Sequence, residues 1–217
     1  MNPSSIIRHR LLNRSGRWLC LLALSLIWLA DNLLLESLQR SNILDAETLA
    51  FAAQFERVSN YIFALLTLAM AVIILRPFPR LFIPMASVYS AFTVVQVFVN
   101  VTSLVFTAHV KTGIGLTVLY DVAGIYILSV LVFMMVYLLI DVSTPGGAFI
   151  WPSRAGEKAP EPHLIDYLFV SLNVNSTFGP TTEAVMSRSC KLVMALQALL
   201  SVLMLTVLIS RAIGATN

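Results

Sequence analysis

The sequence predicts an all-α, polytopic membrane protein with about five transmembrane helices and one re-entrant hairpin. Of its 217 residues, 58% are hydrophobic and 12% are charged, whereas a soluble domain carries about 25% charged residues. Near the C-terminus, an apolar run too short to cross a bilayer ends in a cluster of Ser, Thr, Asn, Gly and Pro. We therefore treat residues 1–217 as one transmembrane domain, with the lipid bilayer as its solvent.

Charge and cysteine content exclude several classes of protein. The net charge is +3, and the arginines lie at the ends of apolar runs, which indicates membrane topology rather than the basic stripe of a nucleic-acid-binding protein. Cys20 and Cys190 lie in different hydrophobic segments without CxxC spacing. Neither a disulfide framework, nor a metal site, nor a cofactor is predicted.

The histidines do not form a catalytic pattern with other residues. The three histidines, His9, His109 and His163, are isolated in the sequence and have no carboxylate or cysteine partner at a useful spacing. A nucleophile–base pair or a metal-ligand motif would require such a partner. No glycine-rich phosphate loop is present either, so we predict no enzymatic site.

The N-terminal part is predicted to be a basic tail followed by an uncleaved span. Residues 1–17 carry four arginines and no acid, which places the N-terminus in the cytoplasm. The apolar run Trp18–Leu35 is long for a signal peptide and lacks a cleavage site. It contains Asp31, the first of two predicted intramembrane acids.

The second span is predicted at Tyr61–Leu75, after a polar connector whose middle, residues 46–58, has the pattern of an amphipathic helix lying at the interface. Pro77 and Pro79 then form a tight basic turn with two arginines, because neither proline can continue a helix.

The third span, Leu81–Ala108, carries a polar stripe. Its members are spaced four, three, four, three and four residues apart, which places them on one helical face. They are Tyr89, Thr93, Gln96, Asn100, Ser103 and Thr107. Helix–helix hydrogen bonding is the ordinary role of such side chains, and a polar lining for a pathway is the alternative.

The fourth span, Leu116–Ile140, completes the four helices predicted in residues 18–140. Asp121 lies near its start and is the second predicted intramembrane acid, with His109 and Lys111 as candidate partners. In the alternative interpretation, the Asp121 side chain has no partner in the membrane and extends into the lipid headgroup region. Residues 141–163 are rich in proline and glycine and are predicted to be an irregular connector.

Residues 164–217 are predicted to be the re-entrant hairpin and the last span. The short apolar run begins at Leu164, the polar cluster follows, and the final span covers Leu192–Ile213. Unpaired backbone at membrane depth survives only where it is buried in protein or lines water. We therefore predict the functional residues here, as follows: Ser171, Asn173, Asn175, Ser176, Thr177, Phe178 and Gly179. Gln197 and Ser201, four residues apart, could face this hairpin, although polar packing between helices is their ordinary role.

This layout resembles the pore module of two-transmembrane potassium channels, in which a pore helix and filter lie between an outer and an inner helix. Residues 166–171, DYLFVS, resemble the pore helix of that family, and Ser176-Thr177 stands where its threonines do. The filter carbonyls of TVGYG, however, are replaced by the sequence Phe178-Gly179-Pro180-Thr181. Pro180 fixes φ where glycine freedom is needed, so the resemblance implies the architecture without potassium selectivity.

The same stretch resembles the C-terminal block of some uncharacterised bacterial membrane proteins of unknown function. In that block a short helix with Phe and Ser precedes a Thr-Phe cluster, a Ser-Arg hinge and a final span that begins like HALLSF. Thr177-Phe178, Ser187-Arg188 and residues 197–201, QALLS, match this pattern. The resemblance implies a bacterial inner (plasma) membrane protein with a channel-like layout.

Orientation follows from the 14 Lys and Arg residues. With five spans and a cytoplasmic N-terminus, ten fall inside and four outside, as the positive-inside rule requires. The inside set is Arg8, Arg10, Arg14, Arg17, Arg76, Arg80, Arg154, Lys158, Arg188 and Lys191, and the outside set is Arg40, Arg57, Lys111 and Arg211. The hairpin would then enter from the cytoplasm, opposite to a potassium channel.

Two functional hypotheses remain. In the first, the hairpin conducts ions or a small polar solute of unknown identity, which requires a homo-oligomer because such filters are built from several loops. In the second, the protein is a non-transporting structural or accessory subunit whose hairpin is a plug.

Overall fold

A computed structural model describes residues 14–39, 46–76, 78–107, 116–152, 162–176, 178 and 183–214. This part of the chain contains six helices and one two-stranded ribbon. In chain order they are α1 (Arg14–Gln39), α2 (Ala46–Leu75), α3 (Pro79–Thr107), α4 (Leu116–Ser143), β1 (Phe149–Ile150), α5 (Leu164–Asn175), β2 (Ala184–Val185) and α6 (Arg188–Gly214). The predicted all-α class is confirmed.

Five of these helices are long and apolar enough to cross a membrane, as predicted. The stretches that meet this criterion are Gly16–Leu34, Val58–Leu75, Arg80–Val105, Tyr120–Ser143 and Arg188–Ser210. Each is at least 18 residues long, close to the roughly 20 residues that a helix needs to span the hydrocarbon core.

The segment predicted as a separate interfacial helix, residues 46–58, is instead the first part of α2. This helix runs without a break for 30 residues, about 45 Å at 1.5 Å per residue. The sequence between Ala46 and Leu75 contains no proline or glycine that would end the helix after the amphipathic part. The predicted proline turn does follow, since α2 ends at Leu75 and α3 begins at Pro79, a position where a missing N–H costs little.

Helix α4 is the centre of the bundle. It packs against α1, α3, α5 and α6, and every side chain from Leu128 to Leu138 is buried. A helix surrounded in this way must be apolar on all sides, which explains why this span shows no polar stripe. At the start of α4, Gly124 allows close contact with α1, because a Cβ there would lie 2.9 Å from Leu34 Cδ2.

Helix α5 enters the bundle antiparallel to α4 and stops inside it. At its start, Tyr167 contacts Asp141 near the end of α4, and at its end Ser176 contacts Tyr126, four turns earlier on α4. Its 12 residues extend about 18 Å, less than the roughly 30 Å of the hydrocarbon core.

The β-ribbon returns the chain to the end at which α5 entered. Strand β2 pairs antiparallel with β1, with Phe149 opposite Val185 and Ile150 opposite Ala184, and β1 follows closely after the end of α4. The chain therefore enters and leaves on one side, and the eight residues 176–183 between α5 and β2 can extend roughly 26–29 Å. This is the topology of the predicted re-entrant hairpin.

Candidate functional site: the re-entrant hairpin

One face of α5 is buried against α4 and α6. The buried side chains recur every three or four residues, which is the period of a helix face, and two of them, Ser171 and Asn175, are polar. The opposite face carries Ile165, Phe169 and Leu172, all exposed and apolar. The helix therefore turns apolar side chains outward and hydrogen-bonding side chains inward, as expected for a helix immersed in lipid.

Gln197 on α6 is the centre of a buried hydrogen-bond network. Its side-chain nitrogen donates to the backbone oxygen and to the hydroxyl of Ser171, both at 3.0 Å, and lies 3.4 Å from Asn175 Oδ1. Its oxygen accepts a 2.5 Å hydrogen bond from the Tyr137 hydroxyl on α4. Gln197 is fully buried, so one side chain joins three helices away from solvent.

Serine hydroxyls complete this network on both sides of α5. Ser171 Oγ donates to the Val130 backbone oxygen of α4 at 2.7 Å, and Ser129 Oγ donates to Asn175 Oδ1 at 3.2 Å. On α6, the Ser201 hydroxyl donates to the Asn175 backbone oxygen. We name Ser129, Tyr137, Ser171, Asn175, Gln197 and Ser201 the hairpin network. It fixes α5 to both neighbours by bonds that water cannot replace at this depth.

The C-terminal end of α5 lies inside the bundle with its carbonyls paired. The Leu172 oxygen accepts from the backbone N–H and the hydroxyl of Ser176, at 2.9 and 2.7 Å, and the Asn173 oxygen accepts from Phe178 N–H at 3.0 Å. These bonds satisfy groups that every helix end leaves without intrahelical partners. The end still carries the partial negative charge of the helix dipole.

Two amide donors remain without a partner among the described residues. They are the side-chain nitrogens of Asn173 and Asn175, both shielded from solvent. An unpaired buried donor costs about 1–3 kcal/mol. These two groups are thus available to an acceptor from outside the described part of the chain.

A second polar cluster fixes the entrance of the hairpin. Asp141 Oδ1 accepts hydrogen bonds from the backbone N–H groups of Ala148, at 2.5 Å, and Phe149, at 3.1 Å, while Oδ2 accepts from the Tyr167 hydroxyl at 2.6 Å. Asp141 is 5% exposed. A single carboxylate therefore holds the end of α4, the following turn and the first turn of α5 together, which we name the Asp141 clasp.

The turn within the clasp depends on Gly147. Its φ is +87°, and a Cβ there would lie 3.1 Å from Asp141 Oδ1. Aromatic rings cover the clasp on the other side, where Phe149 packs edge-on against Tyr137 and Tyr167, with ring centroids 6.1 and 6.2 Å apart. The carboxylate is thereby closed off from solvent, which strengthens its hydrogen bonds.

The predicted hairpin residues have different environments. Ser171 and Asn175 belong to the hairpin network, and Ser176 Oγ lies 3.0 Å from the Tyr126 hydroxyl. Asn173 is half-buried and Phe178 is 82% exposed. Thr177 and Gly179 lie outside the described residues. The expectation that Gln197 and Ser201 face the hairpin agrees with the structure.

The polar stripe of α3 lies at contacts between helices. Thr93 Oγ1 bonds within α3 to the Tyr89 and Ser90 oxygens, at 3.0 and 3.1 Å, whereas Gln96 donates to Ser59 Oγ of α2 at 2.9 Å. Asn100 forms a side-chain hydrogen bond with Asp31 of α1. Ser103 is half-buried, and Thr107 is the last residue of α3. Two members of the stripe, Gln96 and Asn100, thus join α3 to α2 and α1.

Asp121, the second predicted intramembrane acid, lies at the edge of an apolar cavity. The cavity has a volume of about 360 Å³, is formed between α1 and α4, and is bordered by Leu33 and Ile127 among others. Asp121 is half-buried. The partners suggested for it, His109 and Lys111, lie outside the described residues.

Sequence reasoning missed three residues of the site: Ser129, Tyr137 and Asp141. The first two stand singly in a long apolar run, where nothing local distinguishes them. Asp141 precedes Pro145-Gly146-Gly147 by a few residues, and an acid just before such a turn is a usable signal for a buried carboxylate that binds turn amides. Among the described residues, no group of three or more His, Cys, Asp or Glu lies close enough to hold a metal ion.

Comparison of the chain with family models, curated proteins and solved structures finds no match.

Proposed function

We propose that α4, the hairpin and α6 form a channel-like unit through which an ion or a small polar solute passes beside the C-terminal end of α5. The observation that carries this proposal is the path of the chain. Helix α5 ends inside the bundle, and by Ala184 the chain is back at the side where α5 entered. Non-helical backbone at that depth is tolerated where it is buried in protein or lines water.

The anchoring of α5 supports the same proposal. Conduction past backbone groups requires a hairpin that is held rigidly, and the hairpin network fixes α5 to α4 and α6 by hydrogen bonds. The C-terminal end of α5 points its partial negative charge into the bundle. This polarity favours a cation over an anion as the species that passes.

A complete path requires further copies of the chain. One hairpin cannot enclose a symmetric pore, since filters of this kind are built from four loops. The outward face of α5 and α6 offers a large apolar surface for this contact, with Ile165, Phe169, Leu192 and Leu199 all exposed. A homo-oligomer in the bilayer is therefore part of the proposal.

A specific observation favours a second candidate, a non-transporting structural or accessory protein. Most polar groups on the inner face of α5 are paired within the same chain, including the side-chain and backbone oxygens of Asn175. A hairpin whose groups are satisfied internally can serve as a plug that determines how α4 and α6 pack. In that case no solute passes.

Flux through liposomes distinguishes the two candidates. We expect the reconstituted protein to pass a monovalent cation or a small neutral solute, and we expect the double variant Thr177→Ala with Gly179→Ala to fall to the level of protein-free liposomes. Thr206→Val is the matched control, because this hydroxyl is exposed on α6 and donates to the Val202 oxygen of the same helix. It should conduct like the wild type.

Folded wild-type protein that passes none of these solutes would overturn the channel proposal. The second candidate, a non-transporting protein whose hairpin is a plug, would be supported by a separate stability measurement. Replacement of Asn173 and Asn175 by leucine would lower the unfolding temperature in detergent while leaving liposome permeability unchanged.

A further inference from the structure

An apolar groove lies between α1 and α4, at the opposite end of α4 from the Asp141 clasp. This groove is the cavity beside Asp121, and its volume of about 360 Å³ falls within the range of ordinary ligand pockets, roughly 300–1,000 Å³. Asp121 belongs to the second turn of α4, whereas Asp141 lies near the end of that helix. The α1–α4 groove is therefore separate from the hairpin entrance.

Small side chains create the α1–α4 groove. On its inner side the two helices touch, because Gly124 lies so close to α1 that a Cβ there would be 2.9 Å from Leu34 Cδ2. Beside this contact the groove is lined by Ala30 of α1 and Ala123 of α4. A single methyl group on each helix is too short to close the gap between them, so the space stays open to a ligand.

The α1–α4 groove opens on the outer surface of the bundle, near one end of the membrane-spanning region. Leu33, Tyr120 and Ile127 line it, and their side chains are 58%, 70% and 54% exposed. The apolar stretch of α1 ends at Leu34, and that of α4 begins at Tyr120. The groove therefore lies where acyl chains meet headgroups, and a ligand can enter it from the bilayer.

Asp121 and Tyr120 give one end of the groove a chemical preference. The Asp121 side chain is half-buried, and the described lining contains no Lys, Arg or His to balance its charge. A carboxylate at the edge of an apolar space favours a cationic partner. Tyr120 adds an aromatic face, and such faces attract ammonium groups. The groove thus combines an apolar length with an anionic and aromatic end.

We propose that the α1–α4 groove binds a cationic amphiphile, a molecule with one alkyl chain and an ammonium headgroup. The chain lies along the apolar side chains of α1 and α4, and the ammonium group pairs with Asp121 beside Tyr120. A phospholipid is a poorer match, since its phosphate finds no cation in the described lining and is repelled by the Asp121 carboxylate. The proposal does not depend on the hairpin or on its proposed conduction.

The test is photo-crosslinking of the purified full-length protein in neutral maltoside micelles. Three probes share one diazirine-bearing dodecyl chain and end in a trimethylammonium, a hydroxyl or a carboxylate group, and mass spectrometry locates the labelled residues. We expect the ammonium probe to label the α1–α4 groove saturably, at about tenfold lower concentration than the alcohol. Asp121→Asn keeps the shape of the groove and should remove this preference, whereas Tyr120→Leu should weaken it about two- to fivefold.

Ala123→Phe fills the groove and should abolish labelling there by every probe, whereas the control Val95→Phe, at an exposed position of α3, should leave it unchanged. Absence of labelling in the groove, equal labelling by the three probes, or an ammonium preference that survives Asp121→Asn overturns the proposal. A preference seen only in Lys111→Ala would mean that this lysine of the chain itself pairs with Asp121, which also overturns it. Should Asp121→Asn fail to fold, the three probes on the wild type decide.

Discussion

Replacing Gln197 with leucine is expected to destabilise the protein by about 2–4 kcal/mol, because the substitution removes the centre of a buried network. Leucine fills a similar volume but leaves the Tyr137 hydroxyl without its acceptor and removes the Gln197 donor to the Ser171 hydroxyl and backbone oxygen. The Tyr137 side chain is fully buried, so solvent cannot readily replace the lost bond. The free energy of unfolding is measured by titrating purified protein in mixed micelles with sodium dodecyl sulfate.

The matched control for this substitution is again on α6. Thr206 is exposed and bonds to the Val202 oxygen one turn earlier, so Thr206→Val should change the free energy of unfolding by less than about 0.5 kcal/mol. Equal effects of the two substitutions would show that the hairpin network does not stabilise the bundle. The double substitution Gln197→Leu with Tyr137→Phe should cost less than the sum of the two single ones, since they share one hydrogen bond.

Replacing Asp141 with alanine is expected to have the largest effect, a loss of about 3–5 kcal/mol, because three buried donors lose one acceptor group. The donors are the Ala148 and Phe149 N–H groups and the Tyr167 hydroxyl. The clasp also connects α4 to the start of α5. We therefore expect trypsin to cut the connector between these helices faster in the variant than in the wild type.

Asp166 is a natural comparison for Asp141. It also accepts a backbone hydrogen bond, from His163 N–H at 2.6 Å, but the bond is exposed at the first turn of α5. Loss of such a capping bond costs about 0.5–2 kcal/mol. If Asp141→Ala proves no more harmful than Asp166→Ala, burial of the clasp does not contribute as the structure implies.

The sequence alone predicts most of the membrane topology. In lipid every backbone group must be paired internally, so apolar runs of about 20 residues become helices and a run of 12 must turn back. The sequence also indicates that Gln197 and Ser201 lie on the same face of their helix, because residues four apart share a helix face. These predictions depend on local patterns, which a single sequence displays directly.

The parts that sequence reasoning missed depend on contacts between distant residues. Asp141 acquires its role from Tyr167, 26 residues further on, and from a turn geometry that needs a positive φ at Gly147. Tyr137 is paired with Gln197 across 60 residues. The start of α2 was also misjudged, since an amphipathic pattern does not reveal whether the helix stops or continues into the membrane.

Accessibility of introduced cysteines tests the central claim, that the chain enters and leaves the membrane on one side around α5. The native Cys190 is fully buried, so the probes are His163→Cys, before α5, and Met186→Cys, after β2, each in a Cys20→Ala, Cys190→Ala background. Both positions are exposed. Tyr120→Cys, exposed at the opposite end of α4, is the reference for the other side.

Intact cells are treated with a membrane-impermeant thiol reagent, and permeabilised cells give the total. The structure predicts that His163→Cys and Met186→Cys have the same sidedness and that Tyr120→Cys has the opposite one. With a cytoplasmic N-terminus, the first two are protected in intact cells. Labelling of His163→Cys and Met186→Cys from opposite sides would show that the segment crosses the membrane, and the re-entrant hairpin would be wrong.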